Sequence, residues 1–138
     1  MNVPLIFYKQ FYLNAVKISL ISISDSSVNN TKTLNIVMLD QSPVTYPNVS
    51  EAFTSSYATS IDTALAAVDA SSIQDLAFFK GNYFQAENIV YIFRDTAVNN
   101  LTTLTVRFND QTEWVLANLT SDEVADFFDS ASFNIVTI

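Results

Sequence analysis

With neither histidine nor cysteine among its 138 residues, this chain must do any acid–base chemistry with carboxylates. Four of them recur in pairs, Asp25 with Asp95 and Asp40 with Asp110, at matching points of two similar stretches. Two carboxylates flanking a substrate can serve as acid and base, as in glycoside hydrolysis. All four, however, fall in predicted turns, where Asp accepts hydrogen bonds from nearby backbone N–H groups. A catalytic residue repeated at both equivalent places is also unusual, so turn chemistry is the reading adopted. The missing histidine and cysteine remove hydrolytic triads, zinc sites, disulfides and thiolate nucleophiles together. Asp122, Glu123, Asp126 and Asp129 offer hard oxygens at helical spacing, but no glycine-bearing loop of alternating ligands accompanies them, as a calcium site requires. They read as the solvated face of a helix. The single glycine, Gly81, excludes the glycine-rich loops of nucleotide sites and is expected to relieve a bend or bulge in the strand 79–84. No catalytic, cofactor or metal residue is assigned, and the chain is expected not to be an enzyme.

Aromatic side chains are the second chemical resource. Tyr8, Phe11, Tyr12, Tyr83, Phe84, Tyr91 and Trp114 could stack on sugars or bases. A small β module needs this many large side chains for its interior, so the core reading is preferred and a sugar-binding surface stays open. The net charge of −8 argues against nonspecific nucleic-acid binding, which needs clustered Lys and Arg. Most of the acidic excess lies in residues 71–138, with three basic and nine acidic residues, against three and five in residues 1–70. The first residues lack the basic start and apolar core of a signal peptide, and no apolar run approaches a membrane span. The expectation is a soluble chain made in the cytoplasm. Sequons at Asn29, Asn48, Asn100 and Asn118 are accordingly read as turn and cap residues.

The elements that would position these groups occur twice. Residues 27–50 laid over 97–120 match at 8 of 24 positions without a gap, where ordinary usage gives about two. Upstream the offset becomes 71, with Lys9, Tyr12, Ala15, Ile18 and Ile21 over Lys80, Tyr83, Ala86, Ile89 and Ile92, and a slip beside Ser24 absorbs the difference. Each copy reads as four strands and a helix: an aromatic start (7–13 and 77–84), a β-branched strand (16–23 and 88–93), a third strand (33–39 and 103–108) and a fourth after a tight turn. Pro43 and Pro47 make the first copy's fourth strand an edge. Ile18, Leu20 and either Ile21 or Ile23 are expected to share a buried face. Ser50 caps a helix over about 50–68, with Phe53, Tyr57, Ile61, Ala64, Leu65 and Val68 inward. Thr120 and Glu123 form the capping box of a shorter second helix, stapled by Leu119 and Val124. The segment 132–138 closes the chain as a strand. The fold class is α+β, mainly β: a tandem duplication of a four-strand antiparallel module followed by a helix, pseudo-twofold, with copies at 1–70 and 71–138 in one compact unit.

The aromatic strand, Glu87-Asn88-Ile89-Val90-Tyr91-Ile92, the run Asn99 to Phe108 and the Thr-capped acidic helix resemble small virion proteins of tailed bacteriophages. That resemblance implies a duplicated β-rich module attached to capsid, connector or tail surfaces, and virion localisation. It carries over no functional residue. The expected function is therefore a nonenzymatic structural or interaction protein with other assembly proteins, or itself as a homo-oligomer, for partners. Alternatives are a carbohydrate- or peptide-binding module and an acidic mimic of nucleic acid. Uncharged end strands point to interface candidates Leu5, Ile6, Phe7, Phe133, Ile135 and Ile138, buried against a neighbour over roughly 800 Å². The competing expectation is that these segments close the chain's own sheet.

Overall fold

The computed structural model describes residues 2–68 and 76–138. Each half begins with a hairpin: β1 (Val3–Tyr8) and β2 (Phe11–Asn14) in the first, β6 (Ala77–Phe79) and β7 (Asn82–Phe84) in the second. A single 3-10 turn follows, Ala15–Lys17 or Ala86–Asn88. Three antiparallel strands come next, β3 (Ile18–Asp25), β4 (Lys32–Met38) and β5 (Pro43–Val49), against β8 (Ile89–Thr96), β9 (Thr102–Phe108) and β10 (Glu113–Leu119). A helix ends each series, α1 (Glu51–Ala66) or α2 (Ser121–Asp129), and β11 (Phe133–Thr137) follows α2. The fold is mainly β, of the α+β class.

Pairing registers in the two halves coincide residue for residue. Ile18 opposite Met38 and Asp25 opposite Lys32 become Ile89 opposite Phe108 and Thr96 opposite Thr102. A bulge falls at the same step of both ladders, between Ile18 and Leu20 and between Ile89 and Tyr91. Left-handed backbone recurs at Lys9 and Lys80, Asn30 and Asn100, Gln41 and Gln111, and Asn48 and Asn118. The one-residue slip sits in the β3–β4 connection, 26–31 in the first half and 97–101 in the second, just beyond the expected position.

The strand count differs from the sequence reading. Each aromatic start is two strands, because the chain reverses at Lys9 (φ 56°) and at Lys80-Gly81 (φ 46° and 81°). Gly81 thus serves a hairpin turn rather than a bulge inside one strand. The pairing is not wholly antiparallel either: β1 runs parallel to β11, from Val3 beside Phe133 to Phe7 beside Thr137. Asp25 and Asp95 lie in strands β3 and β8, opposite Lys32 and Thr103, not in turns.

Sheet order places the halves. A six-stranded sheet runs β10-β9-β8-β2-β1-β11, while β3-β4-β5 and β6-β7 form separate sheets. The first hairpin has therefore crossed to the second half's sheet, where β2 pairs with β8 through Phe11–Phe93, Tyr12–Ile92 and Leu13–Tyr91. The second hairpin makes no reciprocal pairing with β3, so the relation between halves is one-way, whereas a twofold would require both. Two cores result. Val3, Leu5 and Tyr12 join Phe79, Phe84, Ile92, Val106 and Phe127 in one, and Ile6, Leu13 and Ala15 join Leu34, Ile36, Tyr46, Tyr57 and Ile61 in the other.

In β3 the bulge resets the alternation, so Ile18 and Ile21 are half-buried while Leu20 and Ile23 are exposed. Along α1 the inward residues are Thr54, Tyr57, Ile61 and Ala64; Phe53 is half-buried, Leu65 is exposed and Val68 lies beyond the helix. The Ser50 hydroxyl accepts from the Phe53 N–H at 3.0 Å. At α2 the box is complete: Thr120 Oγ1 accepts from the Glu123 N–H at 3.2 Å, and Glu123 Oε1 accepts from the Thr120 N–H at 3.1 Å.

Two stability outcomes follow from these placements. Thr120→Ala should lower stability by on the order of 1 kcal/mol in urea titration, since an N–H of the first turn loses its acceptor. An unchanged midpoint and slope would reject the capping role. The Tyr57 hydroxyl is fully buried with only the Tyr46 hydroxyl beside it and, among the described residues, no hydrogen bond of good geometry; Phe127 takes the matching position in α2. Tyr57→Phe should therefore leave stability unchanged or raise it by up to about 1 kcal/mol; a clear loss would mean that the hydroxyl is bonded.

Candidate interaction surface

Of the four recurring carboxylates, Asp25, Asp40 and Asp110 are engaged in structure, and Asp95 is exposed on β8. Asp40 Oδ1 accepts from the Ser42 N–H at 2.9 Å, and Asp110 Oδ1 accepts from the Thr112 N–H at 3.0 Å, each closing a turn. Asp25 pairs with Lys32 across β3 and β4. Glu123 pairs with Lys80 while capping α2, which ties the second hairpin to the second helix. Asp122, Asp126 and Asp129 lie on the solvent face of α2. Among the described residues no group of three or more acidic side chains is placed to hold a metal ion, and no helix is long and apolar enough to cross a membrane.

One ion pair joins the halves. Arg107 on β9 donates from Nε to Asp40 Oδ2 at 3.1 Å and from Nη1 to Glu113 Oε1 at 3.3 Å. The Asp40 carboxylate is only 1% exposed. Burial pushes its pKa up, but the Ser42 and Arg107 hydrogen bonds outweigh that and hold it below the ordinary carboxylate value. Burial, with Glu113 close by, raises the neighbouring Tyr91 phenol. The guanidinium is shared between two carboxylates, an arrangement suited to fixing strands rather than moving protons. At the other end of the joint, buried Asn14 donates from Nδ2 to the Ile89 carbonyl at 2.8 Å and accepts from the Val16 N–H at 3.1 Å. The cleft beside it, lined by Pro4, Asn14, Lys17 and Asn88 among others, holds about 90 Å³, small against the roughly 300 Å³ of an ordinary ligand pocket.

The exposed apolar residues are more informative. On the second hairpin Ala77, Phe79 and Phe84 face the core, while Leu76, Phe78 and Tyr83 are 61%, 52% and 71% exposed. The Phe78 and Tyr83 rings lie 4.8 Å apart and cover each other. On β3, Leu20 and Ile23 are 58% and 53% exposed along the free edge of the three-stranded sheet. From Ile18 to Ser24 that strand carries no charged residue or proline, and its protection is limited to the bulge between Ile18 and Leu20. The other edge of the same sheet, β5, has Pro43, Pro47 and a register shift.

The interface candidates named from sequence separate into two groups. Leu5 and Ile6 are fully buried inside the chain, and Phe7 stacks on Tyr12 at 4.2 Å, because β1 is flanked by β2 and β11. Phe133 packs into the core beside Phe127 and Phe128. Ile135 and Ile138 remain partly exposed on the outer strand β11. The sequence reading passed over Leu76, Phe78 and the β3 edge and assigned Tyr83 to the core. Leu76-Ala77-Phe78-Phe79 is apolar on both faces like its counterpart Leu5-Ile6-Phe7-Tyr8, so the sequence carries no signal that Leu76 and Phe78 stay exposed. No family model matches the chain, and neither a curated protein nor a solved structure matches it.

Asp40→Asn tests the ion pair that joins the halves. Because the folded pKa of Asp40 is depressed, its contribution is present above roughly pH 4 and fades as pH falls through the folded value. The variant should lose about 1 kcal/mol at pH 7, as expected for one charge-assisted bond partly screened by solvent, and less at pH 3. Urea midpoints at the two pH values measure this; equal losses at both would reject the ionic role.

Proposed function

We propose that this protein is a nonenzymatic structural or interaction protein built from a tandem duplicated module, a component of a larger assembly such as the virion of a tailed bacteriophage. Coincident ladder registers, bulges and left-handed turns in the two halves support the duplication. The observation that carries the functional reading is an uncovered pair of surfaces, the aromatic face of the β6–β7 hairpin and the uncharged edge of β3. Monomeric soluble proteins seldom leave a long, uncharged edge strand open, because such an edge recruits further strands. Asp25, Asp40, Asp110, Glu113 and Glu123 fit a scaffold role, since each is engaged in a turn, a cap or an ion pair. The virion setting rests on the sequence resemblance.

A second reading is favoured by one feature. An extended peptide could add to β3 by main-chain pairing, and Phe78 with Tyr83 could stack on a sugar ring. The two readings differ in what the chain accompanies in its source. Sedimentation of native particles, with the chain quantified by mass spectrometry, should place it at fixed stoichiometry in a large assembly. Recovery only in the unassembled fraction, together with saturable binding of an oligosaccharide or short peptide, would overturn the structural reading.

A further inference from the structure

We infer that copies of this chain join head to tail, the β6–β7 hairpin of one adding to the free edge of β3 in the next. The inference deepens the assembly reading above and rests on it. The chain itself contains the template. Its first hairpin lies on the edge of β8 with Phe11, Tyr12 and Leu13 opposite Phe93, Ile92 and Tyr91. The second hairpin is the same element by register, with Ala77–Phe84, Phe78–Tyr83 and Phe79–Asn82 matching Ile6–Leu13, Phe7–Tyr12 and Tyr8–Phe11. Likewise β3 has the same ladder as β8 but lacks the hairpin on its outer side.

Exposure follows this missing contact. Leu5 is fully buried and Tyr12 is 5% exposed, whereas their counterparts Leu76 and Tyr83 are 61% and 71% exposed. On the receiving side, Val90 is fully buried beneath the first hairpin, and its counterpart Ser19 is exposed. Carrying the template across gives the register of the joint: Asn82 opposite Ser22, Tyr83 opposite Ile21, and Phe84 opposite Leu20 of a second copy. Gln85 would stand where Asn14 donates to the Ile89 carbonyl, facing the Ile18 carbonyl of that copy, and its side chain makes no cap bond.

Donor and acceptor surfaces differ, so the contact is heterologous and repeats into a ring or a filament. It lacks three features of the internal joint. Val37 stands in place of Arg107, Ile23 in place of Arg94, which donates to the Tyr12 hydroxyl at 3.0 Å, and Ala58 in place of Phe128, whose ring lies 4.7 Å from that of Tyr12. The contact between copies is accordingly weaker and depends on concentration. With a charge of −8 on each copy, it strengthens as salt screens their repulsion.

The test uses the purified full chain in sedimentation velocity at rising concentration, in low and in high salt. The mass should at least double from 15.4 kDa, more readily in high salt. Leu20→Asp charges the edge opposite Phe84, and Tyr83→Asp charges the hairpin; both side chains are exposed, so the circular dichroism and thermal midpoint should stay unchanged. Each variant alone should remain a monomer. Mixed together they should form dimers and nothing larger, because one live hairpin meets one live edge and both remaining surfaces are blocked. The chain has no cysteine, so Asn82→Cys mixed with Ser22→Cys should give a disulfide-linked dimer that neither variant gives alone. A wild type that stays monomeric at every concentration and salt overturns the inference, as does a mixture that fails to pair. Loss of association in Leu20→Asp with none in Tyr83→Asp also overturns it, in favour of edge-to-edge twofold pairing. A monomer still found at fixed stoichiometry in native particles would overturn this joint while leaving the assembly reading in place.

Discussion

The hairpin of β1 and β2 has no solvent side, and the rest of the structure is arranged around that condition. Its alternate residues serve different cores: Leu5 and Tyr12 face the helix α2, while Ile6 and Leu13 face the sheet β3-β4-β5 and the helix α1. Leu5, Ile6 and Leu13 are fully buried, and burying a side chain of this size contributes about 2 kcal/mol. The polar groups of the joint are satisfied as well. The Arg94 N–H donates to the Gln10 carbonyl at 2.7 Å, and the Arg94 guanidinium donates to the Tyr12 hydroxyl at 3.0 Å. Neither core closes without this hairpin, so the two halves share one folding unit even though each has its own sheet and helix.

Because the hairpin is handed in one direction only, equivalent strands live in different solvents, and their side chains differ accordingly. Covered on its outer side, β8 reads Ile-Val-Tyr-Ile-Phe-Arg and is apolar on both faces where the hairpin lies. Open on its outer side, β3 reads Ile-Ser-Leu-Ile-Ser-Ile-Ser. Serine in place of Val90 and Phe93 lets the free edge meet water without a large apolar penalty, while Leu20 and Ile23 keep it adhesive. A strand with that mixture suits a joint that forms and releases, whereas β8 suits one that is permanent.

Much of this architecture was legible in the sequence, and the gaps have physical causes. The capping box at Thr120, the tight turns at Asp40 and Asp110, the edge character of Pro43–Val49 and the closing strand all depend on local chemistry, and local chemistry can be read from neighbours in sequence. The first hairpin turn is hidden because lysine holds its left-handed position at Lys9, whereas in the second Gly81 marks the turn but is equally compatible with a bend or bulge inside one strand. Burial along β3 was misassigned because a bulge changes which residues face inward, and no residue type marks that bulge. The crossing of the first hairpin is a long-range choice. Its trace in sequence is the unbroken apolar run from Val3 to Phe7, typical of a strand covered on both faces, which drew attention to Leu5 and Ile6 as an interface with another chain instead of with the second half.

Charge placement separates the surfaces that stay open from those that do not. The free strand β5 is blunted by Pro43 and Pro47, and the free strand β10 by Glu113 and a register shift between Leu116 and Leu119. By contrast β3 is uncharged until Asp25, which is neutralised by Lys32, and the outer face of β6–β7 presents only Leu76, Phe78 and Tyr83. The edge of β3 keeps one such device, the bulge between Ile18 and Leu20, while charge and proline are absent from Ile18 to Ser24. The acidic excess is concentrated elsewhere, much of it on the solvent face of α2. In the head-to-tail joint proposed above, repulsion between copies of charge −8 would act over tens of ångströms at low ionic strength while strand pairing would act only at contact, so screening would favour the joint.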